Sequence, residues 1–173
     1  MGYFKEPARN LIRWLHSSNE TTNFTYDLEE ANKQYLASLL AVVLSISYDQ
    51  AISYIREIEE DEELKNHVAR ATAQSEWSFR ADPEVRLGRR MGWYVIARVL
   101  KPKVIVETGV DKGLGACVLT AALKRNKEES FDGRYYGTDI DSRAGYLLSG
   151  QYARFGSILF GDSIDSLKNW RDR

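Results

Sequence analysis

The chain has 173 residues, is 43% hydrophobic and 28% charged, and carries a formal net charge of −1. That length suits one domain or a domain with a small appendage, and the near-neutral balance argues against nucleic acid as a main partner, because phosphate binding needs a clear basic excess. A single cysteine, Cys117, permits no internal disulfide and fits a reducing compartment, the opening MGYFKEPARN lacks a signal-peptide core, and the most apolar segment, Leu36 to Ile46, falls short of the roughly 20 residues of a membrane span.

The chain therefore reads as cytoplasmic, with no membrane partner, and in two parts: a helical N-terminal region (1–100) and a partial α/β domain (101–173). In the first part, Leu28, Ala31, Tyr35, Leu39, Val42 and Ile46 recur at three- and four-residue steps and predict one apolar helical stripe. Asp27 with Glu30 marks its N-cap. A second helix is expected from Ser47, with Gln50 completing a capping box and Ile52, Ile55 and Ile58 on one face. The acidic run EIEEDEE (57–63) reads as a solvated turn rather than a metal site, because consecutive acids point in different directions around a helix. A third helix is expected over Leu64 to Ala73. A fourth is expected from Asp82-Pro83 through Arg86, Arg89, Arg90 and Trp93 to Leu100, ending at Lys101-Pro102.

From Lys103 the pattern alternates strand and helix. Val104 to Thr108 is short and apolar, as suits a central parallel strand. Gly115 to Arg125 predicts a helix closing on basic residues, Arg134 to Asp139 a second strand, Ser142 to Tyr152 a helix, and Ser157 to Phe160 a third strand. This order implies right-handed crossovers and a parallel sheet.

The stretch VIVETGVDKGLG (104–115) carries the chemistry, because a strand that runs through glycines into a helix N-terminus is a ready anion or nucleoside site. A phosphate-binding P-loop needs four residues between its glycines, then Lys and Ser or Thr. Here Gly109 and Gly113 enclose three, and Lys112 comes before the second glycine. A dinucleotide fingerprint needs G-x-G-x-x-G, and Asp111 stands where a pyrophosphate should approach. An adenosyl-methionine site remains: it has no phosphates to repel and carries an ammonium and a sulfonium, which acids favour. Glu107 follows strand one, Asp139 (with Asp141 as near alternative) ends strand two, and Asp162 follows strand three, so all three acids fall on the sheet edge where α/β proteins bind ligands.

ETGVDKG, YYGTDID and FGDS resemble the first three motifs of class I S-adenosylmethionine-dependent methyltransferases. The E-x-G-x-x-x-G form is similar to a small-molecule O-methyltransferase subgroup related to macrolide-sugar and cephalosporin-pathway enzymes. The block ADPEVRLGRRMGWYVIARVLKPKVIVETGVDKGLG resembles bacterial members with a helical region before the domain. The resemblance spans roughly residues 20–173. It implies a Rossmann-like β1-α-β2-α-β3 half-sheet. It also implies S-adenosyl-L-methionine as cofactor, Glu107, Gly109, Val110, Asp111 and Gly113 around the methionine end, Asp139 or Asp141 on the ribose, and Asp162 with Ser163 on the adenine. Gly115 departs from the small hydroxylated residue common at its place. No metal ligand and no catalytic base is assigned.

Plainer roles stand beside these. Glu107 also reads as a strand-end acid paired with Arg89 or Arg90; Asp139 or Asp141 as a helix cap; Asp162 as a turn acid; Arg89 and Arg90 as contacts to the cofactor carboxylate or as solvated side chains. Trp77, Phe79, Trp93 and Tyr94 read as packing, His16 and His67 as non-catalytic, and Cys117 as a buried small hydrophobe. The resemblance implies a seven-stranded sheet with strand one in its middle, whereas this chain ends at NWRDR after strand three. The expectation is a truncated product, or a second copy or another chain completing the sheet, with residues 1–173 alone poorly soluble or oligomeric. Methyl transfer to a small-molecule acceptor is the expected activity. The alternatives are a catalytically silent cofactor-binding or pairing subunit and an NAD-dependent oxidoreductase half-domain.

Overall fold

The computed structural model describes Ile12, residues 27–76, Ser78 and residues 85–168. In chain order these form α1 (Glu30–Leu44), α2 (Tyr48–Glu59), α3 (Glu62–Gln74), α4 (Arg90–Leu100), β1 (Val104–Thr108), α5 (Leu114–Glu128), β2 (Arg134–Asp139), a 3₁₀ turn (Tyr152–Arg154), β3 (Gly156–Phe160) and α6 (Ser163–Lys168). The strands make one parallel sheet in the order β1-β2-β3, with Val106 opposite Tyr136 and Gly137 opposite Ile158. An α/β chain with a parallel sheet is therefore what forms. Among the described residues no helix is long and apolar enough to cross a membrane.

The helical hairpin α1–α2 packs on α4, which in turn lies along α5. The second helix starts as its residues predict: Ser47 Oγ accepts the Gln50 N–H at 3.1 Å, and Ile52, Ile55 and Ile58 are buried. Each such isoleucine contributes about 1.5–3 kcal/mol relative to exposure. The Asp61 carboxylate caps α3 by accepting the Leu64 N–H at 2.9 Å. One continuous core runs from Leu40 and Ile55 through Tyr94 and Val95 to Val118, Leu123 and Tyr135, so the helical region and the sheet share it.

Four features depart from the sequence expectations. The apolar stripe of α1 is rotated: Ala37 and Leu40 are buried, whereas Tyr35, Leu39 and Val42 are 76%, 60% and 80% exposed. YLASLLAVVL is apolar nearly all round, so periodicity could not choose a face; packing against α2 and α4 did, with Leu36 lying over Gly92. Asp27 does not cap α1, whose N-cap is Glu29 without a side-chain bond. No helix forms over 142–150. Gly145 and Gly150 take positive φ there, and the Gly145 and Leu147 N–H groups bond to the Asp111 and Lys112 carbonyls at 2.5 and 3.0 Å instead of to their own turn. The fourth helix begins at Arg90, after Arg86 and Arg89; Asp82-Pro83, like Trp77, Phe79 and His16, lies outside the described residues.

The acidic run is also more than a solvated turn. Glu57 Oε1 accepts from Arg98 Nε at 2.8 Å and from the Tyr94 hydroxyl. Arg98, only 4% exposed, also bonds Asn126 Oδ1 at 2.5 Å and Glu129 Oε1 at 2.6 Å. This network pins α2, α4 and α5 together with a buried cation that keeps its carboxylates.

β1 sits at an edge of the sheet. The Arg134 N–H donates to the Lys103 carbonyl and the Gly109 N–H to the Thr138 carbonyl. Odd-numbered residues thus address β2, and the backbone groups of Val104, Val106 and Thr108 address the open side. Val104 and Val106 stay 47% and 44% exposed. The strand reads as central by composition yet has one neighbour among the described residues.

Candidate functional site

The three strand ends lie side by side, since Thr108 pairs with Thr138 and Asp139 with Phe160. At about 4.8 Å per strand, the loops after β1 and β3 stand about 10 Å apart, the length of a nucleoside. The loops carrying Glu107, Asp139 and Asp162 therefore converge on the carboxyl edge of the sheet, where the sequence puts them.

The glycines of the first loop answer different needs. Gly109 has φ +73° and open space where a Cβ would be. Gly113, with φ +97°, would drive a Cβ to 3.0 Å from the Gly145 Cα, so the neighbouring backbone claims that position. A Cβ on Gly115 would lie 2.5 Å from Glu107 Oε1 and 2.9 Å from the Trp93 ring. That explains glycine where a hydroxylated residue was expected: the space belongs to the chain's own acid and indole. Only Gly109 leaves its approach free for something outside the chain. Val110 is buried beneath the loop.

Glu107 turns toward the helices. Its Oε2 accepts from the Tyr135 hydroxyl at 2.5 Å. Desolvation raises its pKa above the ordinary glutamate value, against the opposing pull of the Tyr135 hydrogen bond and the Arg90 charge. The same burial and acid push the Tyr135 phenol upward. No ion pair forms between Glu107 and Arg89 or Arg90 among the described residues; the Arg90 guanidinium lies over the Trp93 ring, 5.8 Å from its centroid.

Asp139 is the keystone of the two loops. Its Oδ2 accepts the Asp111 N–H and its Oδ1 the Asp141 N–H, both at 2.9 Å. Each oxygen retains a further lone pair for an outside donor. Asp111 sits in the left-handed region, φ 49°, with its side chain exposed. Its N–H, which a phosphate-binding loop would offer to a ligand, is already taken by a carboxylate. Asp141 closes a turn and caps no helix, since none forms over 142–150: it accepts the Arg143 N–H and pairs with the guanidinium, which lowers its pKa to about 2. Asp162 Oδ1 accepts the Ile164 N–H at 2.8 Å, so it caps α6, with Ser163 as the first helical residue.

Two residues of this arrangement carry no signal in local spacing. Tyr135 meets Glu107 only because the β1–β2 register puts both on the helix-covered face. Gly145 braces Gly113 from a segment about 30 residues away. His67 donates through Nε2 to the Leu147 carbonyl at 2.8 Å and leans on Tyr152. Cys117 is buried against the same carbonyl, with its thiol pKa raised by burial. At the opposite, amino-terminal end of the strands, a cleft of about 500 Å³ is lined by Lys103, Lys127, Arg134 and Arg154; it shares no residue with the carboxyl-edge site. Compared with protein-family models, curated proteins and solved structures, the chain matches none.

Proposed function

We propose that the carboxyl edge of the sheet binds S-adenosyl-L-methionine and that the chain is the cofactor-binding part of a methyltransferase acting on a small molecule. The observation that carries this reading is the Asp111–Asp139 bond: it spends the Asp111 N–H on a carboxylate and sets two acids beside the open side of Gly109. A pyrophosphate would meet that negative surface and be repelled. A ligand with hydroxyls, an ammonium and a sulfonium would be attracted.

The donor set fits such a ligand. Asp139 keeps lone pairs for ribose hydroxyls, Gly109 and Asp111 border the methionine end, and the Asp162–Ser163 turn borders the adenine end. Glu107 acts from behind the loop, held by Tyr135 and packed on Gly115. When bound, the cofactor supplies an electrophilic methyl group; the protein's share is to position it, which is where most of the acceleration of an in-line displacement arises. An acceptor that is already acidic requires no base.

Calorimetric titration of the 173-residue chain with S-adenosylhomocysteine and with NAD tests the reading. Saturable binding of the first and none of the second is expected. NAD binding without S-adenosylhomocysteine binding overturns it. The open edge of β1 supports a second reading, a cofactor-binding subunit completed by another chain; methyl transfer appearing only when such a chain is added distinguishes the two.

A further inference from the structure

We infer that the cleft at the amino-terminal end of the strands is a second binding site, and that it takes a small molecule bearing a diphosphate. The inference is independent of the reading of the carboxyl edge, with which the cleft shares no residue. Its volume, about 500 Å³, lies within the range of about 300–1,000 Å³ that suits small molecules. Its lining carries four cations, Lys103, Lys127, Arg134 and Arg154, against one acid, Asp132, a net of +3. The whole chain carries −1, so positive charge is concentrated here well beyond the average. A cleft of one sign focuses its field and draws ligands of the opposite sign into it.

The fold fixes where these cations stand. The Arg134 N–H donates to the Lys103 carbonyl at 2.9 Å, and the Tyr135 N–H to the Phe155 carbonyl at 2.8 Å. The backbones that carry Lys103, Arg134 and Arg154 are thereby fastened side by side at three strand starts. At about 4.8 Å per strand, that row is about 10 Å wide. Gly133 closes the turn into β2: a Cβ there would meet the Pro102 carbonyl oxygen and lie 2.6 Å from Leu123 Cδ2. Lys127 answers Asp132 at 3.1 Å. The other three cations form no ion pair among the described residues. Arg98, Lys124 and Arg143, by contrast, each hold a carboxylate. The Arg134 guanidinium lies 5.9 Å from the Tyr136 ring centroid, a contact with a ring face that leaves its N–H fork available.

This arrangement suits a diphosphate. Guanidinium forks bind phosphoryl oxygens through paired N–H bonds, and lysine adds a point charge. Two linked phosphoryl groups spread their charge along the row, with a cation on either side of Arg134 to receive it; a lone phosphate engages fewer of the three. Nucleic acid fits less well, because the cations line one cleft instead of following a surface track along a phosphate backbone. The two ends of the sheet thus differ in chemistry, with acids after the strands and cations before them.

Calorimetry on the full 173-residue chain, without added metal, tests this with pyrophosphate, orthophosphate and a single-stranded oligonucleotide. Pyrophosphate is expected to bind saturably, about 10-fold tighter than orthophosphate for one further charge-assisted contact, and to weaken as salt rises. Arg134→Gln and Arg154→Gln each remove an exposed charge and should lower the pyrophosphate affinity about 2- to 5-fold, the double substitution more. Arg70→Gln removes the same charge from the exposed surface of α3, outside the cleft, and should leave the affinity unchanged; circular dichroism checks that all the variants fold. Absence of pyrophosphate binding, equal affinity for orthophosphate, an equal loss in Arg70→Gln, or tighter binding of the oligonucleotide each overturns the inference. None of these outcomes bears on S-adenosylhomocysteine binding at the carboxyl edge.

Discussion

Tyr135→Phe removes one oxygen from a fully buried ring and leaves its packing in place. The lost contact is the hydroxyl that donates to Glu107 Oε2 at 2.5 Å. Such a bond is worth about 1.5–3 kcal/mol when the acceptor is a carboxylate and about 0.5–1.5 kcal/mol when both partners are neutral. Desolvation already raises Glu107 above its ordinary value, and the Tyr135 hydrogen bond is the largest influence pulling it back down. The substitution therefore raises it further. A raised carboxyl favours the fold when protonated and costs stability once it ionises. The deficit of Tyr135→Phe relative to wild type should accordingly be small below the ordinary glutamate range and grow as pH rises through the folded value. It should reach about 1.5–3 kcal/mol at pH 8, equivalent to about 4–10 °C in Tm for a chain of this size. Urea titrations of both proteins at pH 4.5, 6 and 8, followed by circular dichroism, measure it; titrations elsewhere cancel in the difference. A deficit independent of pH, or larger in acid, would refute the account of Glu107.

Further outcomes follow from other contacts. Gly113→Ala puts a methyl 3.0 Å from the Gly145 Cα at φ +97°; a loss of about 1–3 kcal/mol in urea is expected, together with weaker S-adenosylhomocysteine binding, and an unchanged midpoint counts against the loop geometry. Arg98→Met strips the donor from Glu57, Glu129 and the buried Asn126. Because both acids keep some water access, the cost should be about 2–4 kcal/mol, just under the range for breaking a fully buried pair; a loss below 1 kcal/mol would show the network to be dispensable. Val106→Lys charges the open edge of β1 at an exposed position. It should reduce self-association in sedimentation velocity without moving the urea midpoint, and wild-type chain that sediments as a monomer at every concentration refutes an adhesive edge.

Legibility followed the range of the physics. The three strands and α5 were readable because their signals are local: apolar runs bounded by Lys-Pro, Asp-Gly and Gly-Asp, and a helix opening on glycine. Ser47 announced α2 through a bond spanning three residues. The α1 face was not readable, since a helix apolar on nearly every side is oriented only by what it packs against. The turn over 142–150 was misread as helix because its N–H groups are drawn away by the Asp111 and Lys112 carbonyls, partners about 30 residues upstream.

At the site, the sequence alone determined which residues stand at the strand ends, because strand length and alternation place Glu107, Asp139 and Asp162 at one edge whatever else happens. What each acid is bonded to was decided by tertiary structure. Register brought Tyr135 to Glu107, loop closure brought the Asp111 N–H to Asp139, and the packing of α4 on α5 left Arg90 over Trp93 with its Nε unpaired. Charge and periodicity are properties of residues in order. A hydrogen-bond partner is a property of residues in space, and chain closure over tens of residues chooses it.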